Sequence, residues 1–284
     1  MLRLGVHVSI AGKIYYSIDR AKKLGCNTMQ IFARNPRQIR RSSLKDDDIK
    51  LFRKYIKTAG IKPLIIHAPY TLNLASVKNF LYHISIKEFT EDVKDAYKLG
   101  AEYIVIHPGS YKGKDVAGLK RIARALGIVL DNTRGLGVNI LLENTAGDGS
   151  MLGYTLSQLK FILQKLKFNK RIGLCLDTAH AWCAGYEINT EKGLSSFVNE
   201  IEHEIGIERI RVIHLNDTLD RLSSCKDRHF HIGKGKIGKK GFRLIVNHKA
   251  FRRLPFILET PKKSIDDDKN NLKVVRKLYK NAVR

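Results

Sequence analysis

The sequence is poor in cysteine, proline and tryptophan, with four, six and one of these residues in a chain of 284. The cysteines, Cys26, Cys175, Cys183 and Cys225, contain no Cys-x-x-Cys pair, which argues against a disulfide framework and against a thiolate zinc site. No stretch approaches the roughly 18 consecutive apolar residues of a transmembrane helix, and the first residues fit a strand better than a secretion signal. We therefore expect a reduced, cytoplasmic protein without a membrane partner.

Acidic residues are scarce relative to basic ones. The chain has 52 Lys and Arg against 27 Asp and Glu, which gives a formal net charge of +25. An excess of this size favours polyanionic partners, and nucleic acid is the commonest of these in a cell. A lysine bias spread over a solvated surface would give the same total. Charge therefore supports a nucleic-acid partner without establishing one.

Short hydrophobic runs, by contrast, are frequent, and most of them end in a residue type that binds metals. Six runs end in His, Glu or Asp: Pro63–His67, Tyr103–His107, Asn139–Glu143, Arg171–Asp177, Arg209–His214 and Pro255–Glu259. Two further runs, Leu2–Val8 and Thr28–Ala33, bring the number of predicted strands to eight. Runs rich in Val, Ile and Leu are typical of parallel strands buried on both faces, which require crossover connections that are usually helical.

Segments with apolar residues at helical spacing lie between and after these runs. We predict helices at Ile14–Leu24, Asp46–Ala59, Ile86–Leu99, Val116–Leu130, Thr155–Leu166, Gly193–Ile205, Lys240–Asn247 and Lys269–Val283. The alternation predicts an α/β protein, a single-domain (β/α)₈ TIM barrel over residues 1–284, whose site lies at the C-terminal ends of the strands. A doubly wound open sheet is the competing fold, but it gives no reason for polar residues at six successive strand ends.

Two further acid and imidazole pairs lie in predicted turns, Asp177 with His180 and Asp227 with His229. With the strand ends they make nine candidate ligands: His67, His107, Glu143, Asp177, His180, His214, Asp227, His229 and Glu259. A lone His at a strand end is usually a hydrogen-bonded core residue, and an acid there often caps a helix. The joint pattern is different, because buried imidazoles and carboxylates that converge need compensation.

The ligand types indicate the class of metal. Nitrogen and oxygen ligands without thiolate favour catalytic Zn²⁺, Mn²⁺ or Fe²⁺ over a closed structural zinc site. Nine ligands exceed the needs of one or two ions, so we predict a cluster. We expect His7 to support the ligands from behind and assign no role to His83, His203 and His248.

Nine short motifs, spread over the whole chain, match the pattern of one known family. They are residues 5–9, 67–70, 107–110, 143–147, 177–181, 184–186, 214–217, 227–229 and 258–260. Together they resemble the endonuclease IV family of apurinic/apyrimidinic (AP) endonucleases. Ala179, Asp148, Ser223-Ser224 and Lys234 depart from the usual family pattern, but none of them removes a ligand.

The resemblance implies three zinc ions, with Mn²⁺ as an alternative at one site. The first ion would bind His67, His107 and Glu143. Glu143 would bridge to a second ion, completed by Asp177, His214 and Glu259. The third would bind His180, Asp227 and His229. Catalytic roles are implied for Glu143, as the bridge, and for Glu259, as a ligand that also orients the attacking water.

The same resemblance implies a hydrolase of base-excision DNA repair. It would cut the phosphodiester 5′ to an abasic site in double-stranded DNA, leaving a 3′-hydroxyl and a 5′-deoxyribose phosphate. Independently of the resemblance, we expect a monomer. The segment Ala33–Arg41 contains four arginines, which suits phosphate contact and insertion into a groove. The resemblance implies Arg37 and Tyr70 as DNA-binding residues. Lys234 and Lys236, which lie among glycines, are further candidates for contact with the DNA backbone.

Two other functions remain open from the residues alone. A divalent-metal sugar isomerase or epimerase would place Glu, Asp and His at the same strand ends of the same barrel. A non-catalytic nucleic-acid-binding protein would explain the charge but not the ligands. Metal content separates them, with about three zinc ions per chain for the nuclease, one or two manganese or magnesium ions for the isomerase and none for the binding protein.

Overall fold

A parallel sheet forms the centre of the computed structural model, which describes residues 1–41 and 43–280. Its eight strands are β1 (Arg3–Val6), β2 (Met29–Phe32), β3 (Leu64–His67), β4 (Tyr103–Ile106), β5 (Asn139–Glu143), β6 (Ile172–Asp177), β7 (Ile210–His214) and β8 (Pro255–Leu258). Their order in the sheet is β1-β8-β7-β6-β5-β4-β3-β2, so strands that follow each other along the chain are neighbours. This order is that of a (β/α)₈ barrel, as predicted.

The barrel closes between β1 and β2. His7 and Gln30 form a parallel bridge just beyond β1, and the Val8 amide donates to the Gln30 carbonyl at 2.7 Å. Gly5 permits this close approach, because a Cβ at that position would lie 1.9 Å from the Thr28 carbonyl oxygen. The competing open sheet is therefore wrong.

Nine α-helices among the described residues surround the strands: α1 (Tyr16–Lys23), α2 (Asp46–Ala59), α3 (Asn79–Leu99), α4 (Asp115–Asn132), α5 (Leu156–Lys165), α6 (Thr178–Ala184), α7 (Glu191–Glu204), α8 (Gly238–Asn247) and α9 (Ile265–Leu278). A short 3₁₀ helix, Ile207–Arg209, leads into β7. None of the helices in these two described stretches is both long and apolar enough to cross a membrane.

Apart from the bounds of α3 and α9, the predicted helices match the observed ones to within two residues at each end, and α6 has no predicted counterpart. Helix α3 begins at Asn79, seven residues before the predicted start at Ile86, and α9 begins at Ile265 rather than Lys269. The predicted end of the last helix, Val283, lies outside the described residues. Helix α6 was not predicted, because its seven residues are too few to show a helical period.

The barrel interior explains why the site lies where it does. Six buried side chains, one from each of the strands β3 to β8, fill the interior: Ile65, Val105, Leu141, Cys175, Val212 and Ile257. Side chains two residues apart in a strand point to the same face. Two residues after each member of this layer stands His67, His107, Glu143, Asp177, His214 or Glu259. The alternation that buries the apolar layer therefore also directs these six candidate ligands into the C-terminal mouth.

Candidate metal centre

Glu143, at the end of β5, lies at the centre of the converging side chains. Its Oε2 is 3.2 Å from His67 Nε2 and 3.1 Å from His107 Nε2. Its Oε1 is 3.0 Å from His214 Nδ1. One fully buried carboxylate thus contacts imidazoles from three other strand ends.

The candidate ligand atoms fall into three groups, each compact enough to hold an ion. The groups are His67, His107 and Glu143; Glu143, Asp177, His214 and Glu259; and Asp177, His180 and His229. The first two coincide with the sets that the family resemblance implies. The third contains Asp177 where the sequence indicated Asp227, but Asp227 Oδ1 lies 2.9 Å from His180 Nε2 and 3.7 Å from His229 Nε2. All nine predicted ligands are therefore brought together, with Asp227 at the outer edge.

On each of four imidazole rings, one nitrogen donates to a carbonyl oxygen, and the other nitrogen is left for a metal ion. The Nδ1 atoms of His67, His180 and His229 donate to the carbonyls of Ala68, Asn144 and Glu259, at 2.7, 2.8 and 3.3 Å. His214 instead donates its Nε2 to Gln30 Oε1 at 2.8 Å. Carbonyl oxygens only accept, so the other nitrogen of each ring is unprotonated in the neutral form and faces the cluster. This arrangement is typical of metal-binding histidines.

Two asparagines, which the sequence analysis did not single out as functional side chains, hold the carboxylates in place. Asn216 donates its side-chain amide to Asp177 Oδ2 at 2.6 Å and accepts from the Glu259 amide at 2.8 Å. Asn144 accepts from the Asp177 amide at 2.7 Å. Asp177 also caps α6, because its Oδ1 accepts from the His180 amide at 2.8 Å. The unpredicted helix therefore fixes two candidate ligands relative to each other.

Gln30 is the other supporting residue that the sequence analysis missed. It is fully buried, and its Nε2 donates to Glu259 Oε1 at 2.7 Å while its Oε1 accepts from His214. His7 Nδ1 also lies 3.0 Å from Glu259 Oε1, so His7 stands behind the ligands as predicted. A polar side chain at the inward register of an otherwise apolar strand was the available signal.

The charges in the cluster stabilise each other. Burial opposes ionisation of Glu143, but His214 and His107 outweigh it and hold the pKa of this carboxyl well below its usual value. Burial likewise disfavours the charged imidazole of His180, but Asp177 and Asp227 raise its pKa well above the usual value. Glu259 behaves like Glu143, with a pKa lowered chiefly by His214 against the effect of burial. Such mutual compensation is what converging buried ionisable groups require.

The groups differ in their access to solvent. Asp177 and His214 are fully buried, whereas the side chains of His107 and Asp227 are 23% and 44% exposed. A cavity of about 630 Å³ opens over this outer side and includes His67, His107, Tyr70 and Asp227 in its lining. The cluster thus has a buried floor and an open side wide enough for a ligand.

Comparisons with known proteins agree with this geometry. The family model described as xylose isomerase-like TIM barrel matches residues 18–281. A probable endonuclease 4 of Halothermothrix orenii is 43% identical over 262 residues, which cover 92% of this chain and 94% of the relative. The crystal structure of endonuclease IV from Thermus thermophilus has a TM-score of 0.85 and 34% identity, with 97% and 98% of the two chains covered. The chain belongs to the endonuclease IV family.

The barrel is also shared with proteins outside endonuclease IV. The crystal structure of a D-tagatose 3-epimerase-like protein has a TM-score of 0.75 and 20% identity, with 96% of each chain covered. At that identity the likeness concerns the fold alone. It therefore does not favour the isomerase interpretation over endonuclease IV.

Two of the predicted DNA-binding residues of this endonuclease IV chain lie exposed beside the cluster. Tyr70 is 64% exposed, and its ring lies 5.6 Å from that of His67 and 5.3 Å from that of Phe32. A second cavity, of about 370 Å³, has Tyr70, Pro36 and Glu259 in its lining, so the arginine segment borders the cluster. Arg37 follows Pro36 and is exposed.

The four arginines of residues 33–41 are not equivalent, which corrects the prediction that the segment as a whole suits phosphate contact. Arg34 is buried and forms an ion pair with Asp92, and Arg41 pairs with Asp95. Only Arg37 and Arg40 are exposed. Two of the four arginines are therefore held in ion pairs within the protein.

The predicted lysines lie exposed on a loop organised by one carboxylate. Asp217 is fully buried and accepts from four backbone amides at 2.9 to 3.1 Å, those of Thr218, Gly233, Gly235 and Ile237. Lys234 and Lys236 alternate with these donors and point to solvent. The fold therefore fixes the backbone of the loop, while both lysine side chains are exposed.

Proposed function

We propose that this endonuclease IV chain is a zinc-dependent AP endonuclease. It hydrolyses the phosphodiester 5′ to an abasic site in double-stranded DNA and leaves a 3′-hydroxyl and a 5′-deoxyribose phosphate, as in base-excision repair. The convergence of nine imidazole and carboxylate side chains in the mouth of a barrel of this family supports the proposal most directly.

The donor set fits zinc. Five imidazoles and four carboxylates match the ligands of catalytic zinc sites, and Asp227 is the fourth carboxylate, beside the three groups. No thiolate belongs to the three groups found in the described residues. We propose three ions, held by the three sets that the family resemblance implies, with Asp227 completing the outermost. When bound, such ions neutralise phosphate charge and bring the pKa of water toward neutrality.

Within this site the proposed catalytic residues have distinct tasks. Glu143 presents one oxygen to His67 and His107 and the other to His214, so a single side chain fixes the spacing of the first two sets. Glu259 presents Oε2 to His214, while its Oε1 is held by His7 and Gln30. A carboxylate fixed in this way is suited to orient a water molecule for attack on phosphorus.

Recognition of the lesion is assigned to the exposed side chains around the mouth. Arg37 and Tyr70 would fill the space left by the missing base, and Lys234 and Lys236 would contact backbone phosphates. An abasic nucleotide has little stacking to lose when it leaves the helix, which favours its selection. We also propose that residues 1–284 act as one domain, as a monomer and in the cytoplasm.

Incision of an end-labelled duplex with one stable abasic-site analogue tests the proposal. We expect a single nick 5′ to the lesion with a 3′-hydroxyl end, abolished by a zinc chelator and by Glu143→Gln. The Lys165→Ala variant, at the opposite end of the barrel, should cut normally. If a folded, zinc-loaded protein leaves the duplex intact, the proposed function is wrong.

A further inference from the structure

The arginine segment is held to the barrel by its first arginine. The Nε and Nη2 atoms of Arg34 lie 2.6 and 3.0 Å from the two oxygens of Asp92, a residue of α3. Its Nη1 donates to the carbonyls of Gln38 and Ile39 at 2.8 and 3.1 Å. Both side chains of the pair are almost fully buried. The Arg34 guanidinium therefore joins helix α3 to the end of a turn that runs from Arg34 to Ile39.

Arg37 lies inside this turn. Its amide donates to Asn35 Oδ1 at 3.0 Å, so its backbone is held on one side by Asn35 and on the other by the Arg34 contacts. Its exposed guanidinium forms no ion pair with any residue in the described ranges 1–41 and 43–280. The turn is thus organised internally while its tip remains available.

The same turn touches the segment that carries Tyr70. Thr71 Oγ1 lies 3.4 Å from the Gln38 carbonyl oxygen, which also accepts from Arg34. Gln38, the residue after Arg37, therefore contacts both Arg34 and the residue that follows Tyr70.

We propose that Arg34 and Asp92 are positioning residues that set the place of Arg37 in the recognition of damaged DNA. The proposal rests on the proposed function and adds two residues to it that touch neither DNA nor metal. Arginine is required because its planar fork serves a carboxylate and two carbonyls at once, whereas the single ammonium of lysine cannot reach all of them in this geometry.

A double-mutant cycle on incision of the abasic duplex tests this role. We expect Arg34→Lys to raise KM about tenfold, the size of one recognition contact, with kcat little changed. Arg37→Ala should do the same. Because Arg34 acts through Arg37, the KM of the double variant should be no higher than that of the more impaired single variant.

Arg171→Lys is the matched control. Arg171 also donates to several oxygens, those of Thr133 and Val138, but it lies just before β6, at the other end of the barrel. It should lower the melting temperature without changing KM. If Arg34→Lys does not fold, Asp92→Asn replaces it, because the amide keeps the shape of the side chain but removes the charge that holds the Arg34 guanidinium. Its effect on KM should likewise vanish when Arg37 is alanine.

Two results would overturn the proposal: an unchanged KM in folded Arg34→Lys or Asp92→Asn, or effects that add fully to that of Arg37→Ala. Duplex affinity measured by fluorescence anisotropy on the same variants gives the cycle a second readout. A wild-type protein that binds the abasic duplex but does not cut it would refute the proposed function, and the affinity cycle would still decide the role of Arg34.

Discussion

At the scale of single residues, the site depends on neutral side chains as much as on charged ones. The ligand types could be recognised from the sequence because His, Glu and Asp at strand ends are unusual in a buried sheet. Gln30, Asn144 and Asn216 could not be assigned from their residue type alone, because an amide inside a strand or just after one is compatible with many structural roles. Their function follows from their partners. Gln30 and Asn216 donate to the carboxylates of Glu259 and Asp177, and Asn144 accepts from the backbone amide of Asp177.

Gln30 gives the first prediction. Gln30→Met keeps the size of the side chain but removes the acceptor of His214 Nε2 and a donor to Glu259. We expect zinc affinity to fall by about 10- to 100-fold, the usual effect of losing an outer partner of a metal ligand. Competition with a chromophoric chelator measures this loss.

Gln158→Met is the matched control for that prediction. Gln158 is also buried, but it bonds to Gly153 and Asp115 outside the cluster, so its loss should affect folding stability and leave zinc affinity unchanged. Equal zinc affinity in Gln30→Met and the wild type would show that the amide does not orient the ligands.

At the scale of elements, the strands and most helices followed from periodicity, and the misses have physical causes. The first turns of α3 carry Asn79 and His83 among apolar residues, which obscured the helical stripe. Helix α6 is short and begins directly after β6, because Asp177 is both the last strand residue and the helix cap. Its geometry comes from a hydrogen bond rather than from an apolar pattern.

The loop with Lys234 and Lys236 gives the second prediction. Asp217→Asn replaces an acceptor of several backbone amides by a group that presents its own donors, so we expect the loop to lose its fixed shape. Binding to intact and abasic duplexes should weaken alike, and the dependence of affinity on salt should become shallower by about one to two phosphate contacts. Affinity measured over a range of salt concentrations tests this.

Asp220→Asn controls for that substitution. Asp220 lies nearby but pairs with Arg228 rather than with the loop, so its salt dependence should match the wild type. If the DNA affinity of folded Asp217→Asn depends on salt as steeply as that of the wild type, the lysine loop does not contact phosphate.

The N-terminus of α9 gives the third prediction. Ser264 and Asp267 form a capping box, and the backbone amides of Lys263 and Ser264 lower the pKa of Asp267. Ser264→Ala should cost about 1 kcal/mol of unfolding free energy, the usual value of such a cap. Calorimetry should show a melting temperature lower by about 2–4 °C, whereas Asp266→Asn, in the same turn, should change it little.

The pH dependence of the cap has a defined sign. Because the folded pKa of Asp267 lies below its unfolded value, its stabilisation is present above about pH 4 and is lost as the pH falls through the folded pKa. The stability difference between the wild type and Asp267→Asn should therefore shrink in acid. A difference that grows below pH 4 would contradict the capping role.

At the scale of the whole molecule, one rule of strand geometry links fold and site. The period of two residues that fills the barrel with Ile65, Val105 and the other members of its layer also places the candidate ligands at one end of it. This is why the sequence could predict both the architecture and the cluster. It could not predict which arginines are free, because burial of Arg34 depends on Asp92, 58 residues away in the chain.

The net charge of +25 acts at the same scale. A field of that sign raises the rate of encounter with DNA and makes affinity depend on salt, but it does not choose a lesion. Selectivity and chemistry are therefore assigned to the exposed side chains around the mouth and to the cluster beneath them.

Stepwise zinc reconstitution tests whether the cluster needs three zinc ions to cut DNA. Metal-free protein is titrated with zinc, and incision of an abasic duplex is measured at each ratio of zinc to chain. We predict no cutting without metal and full cutting 5′ to the lesion at about three zinc ions per chain, the number implied by three ligand sets. Incision by fully metal-free protein, or no incision by folded protein loaded with three zinc ions, would contradict the account.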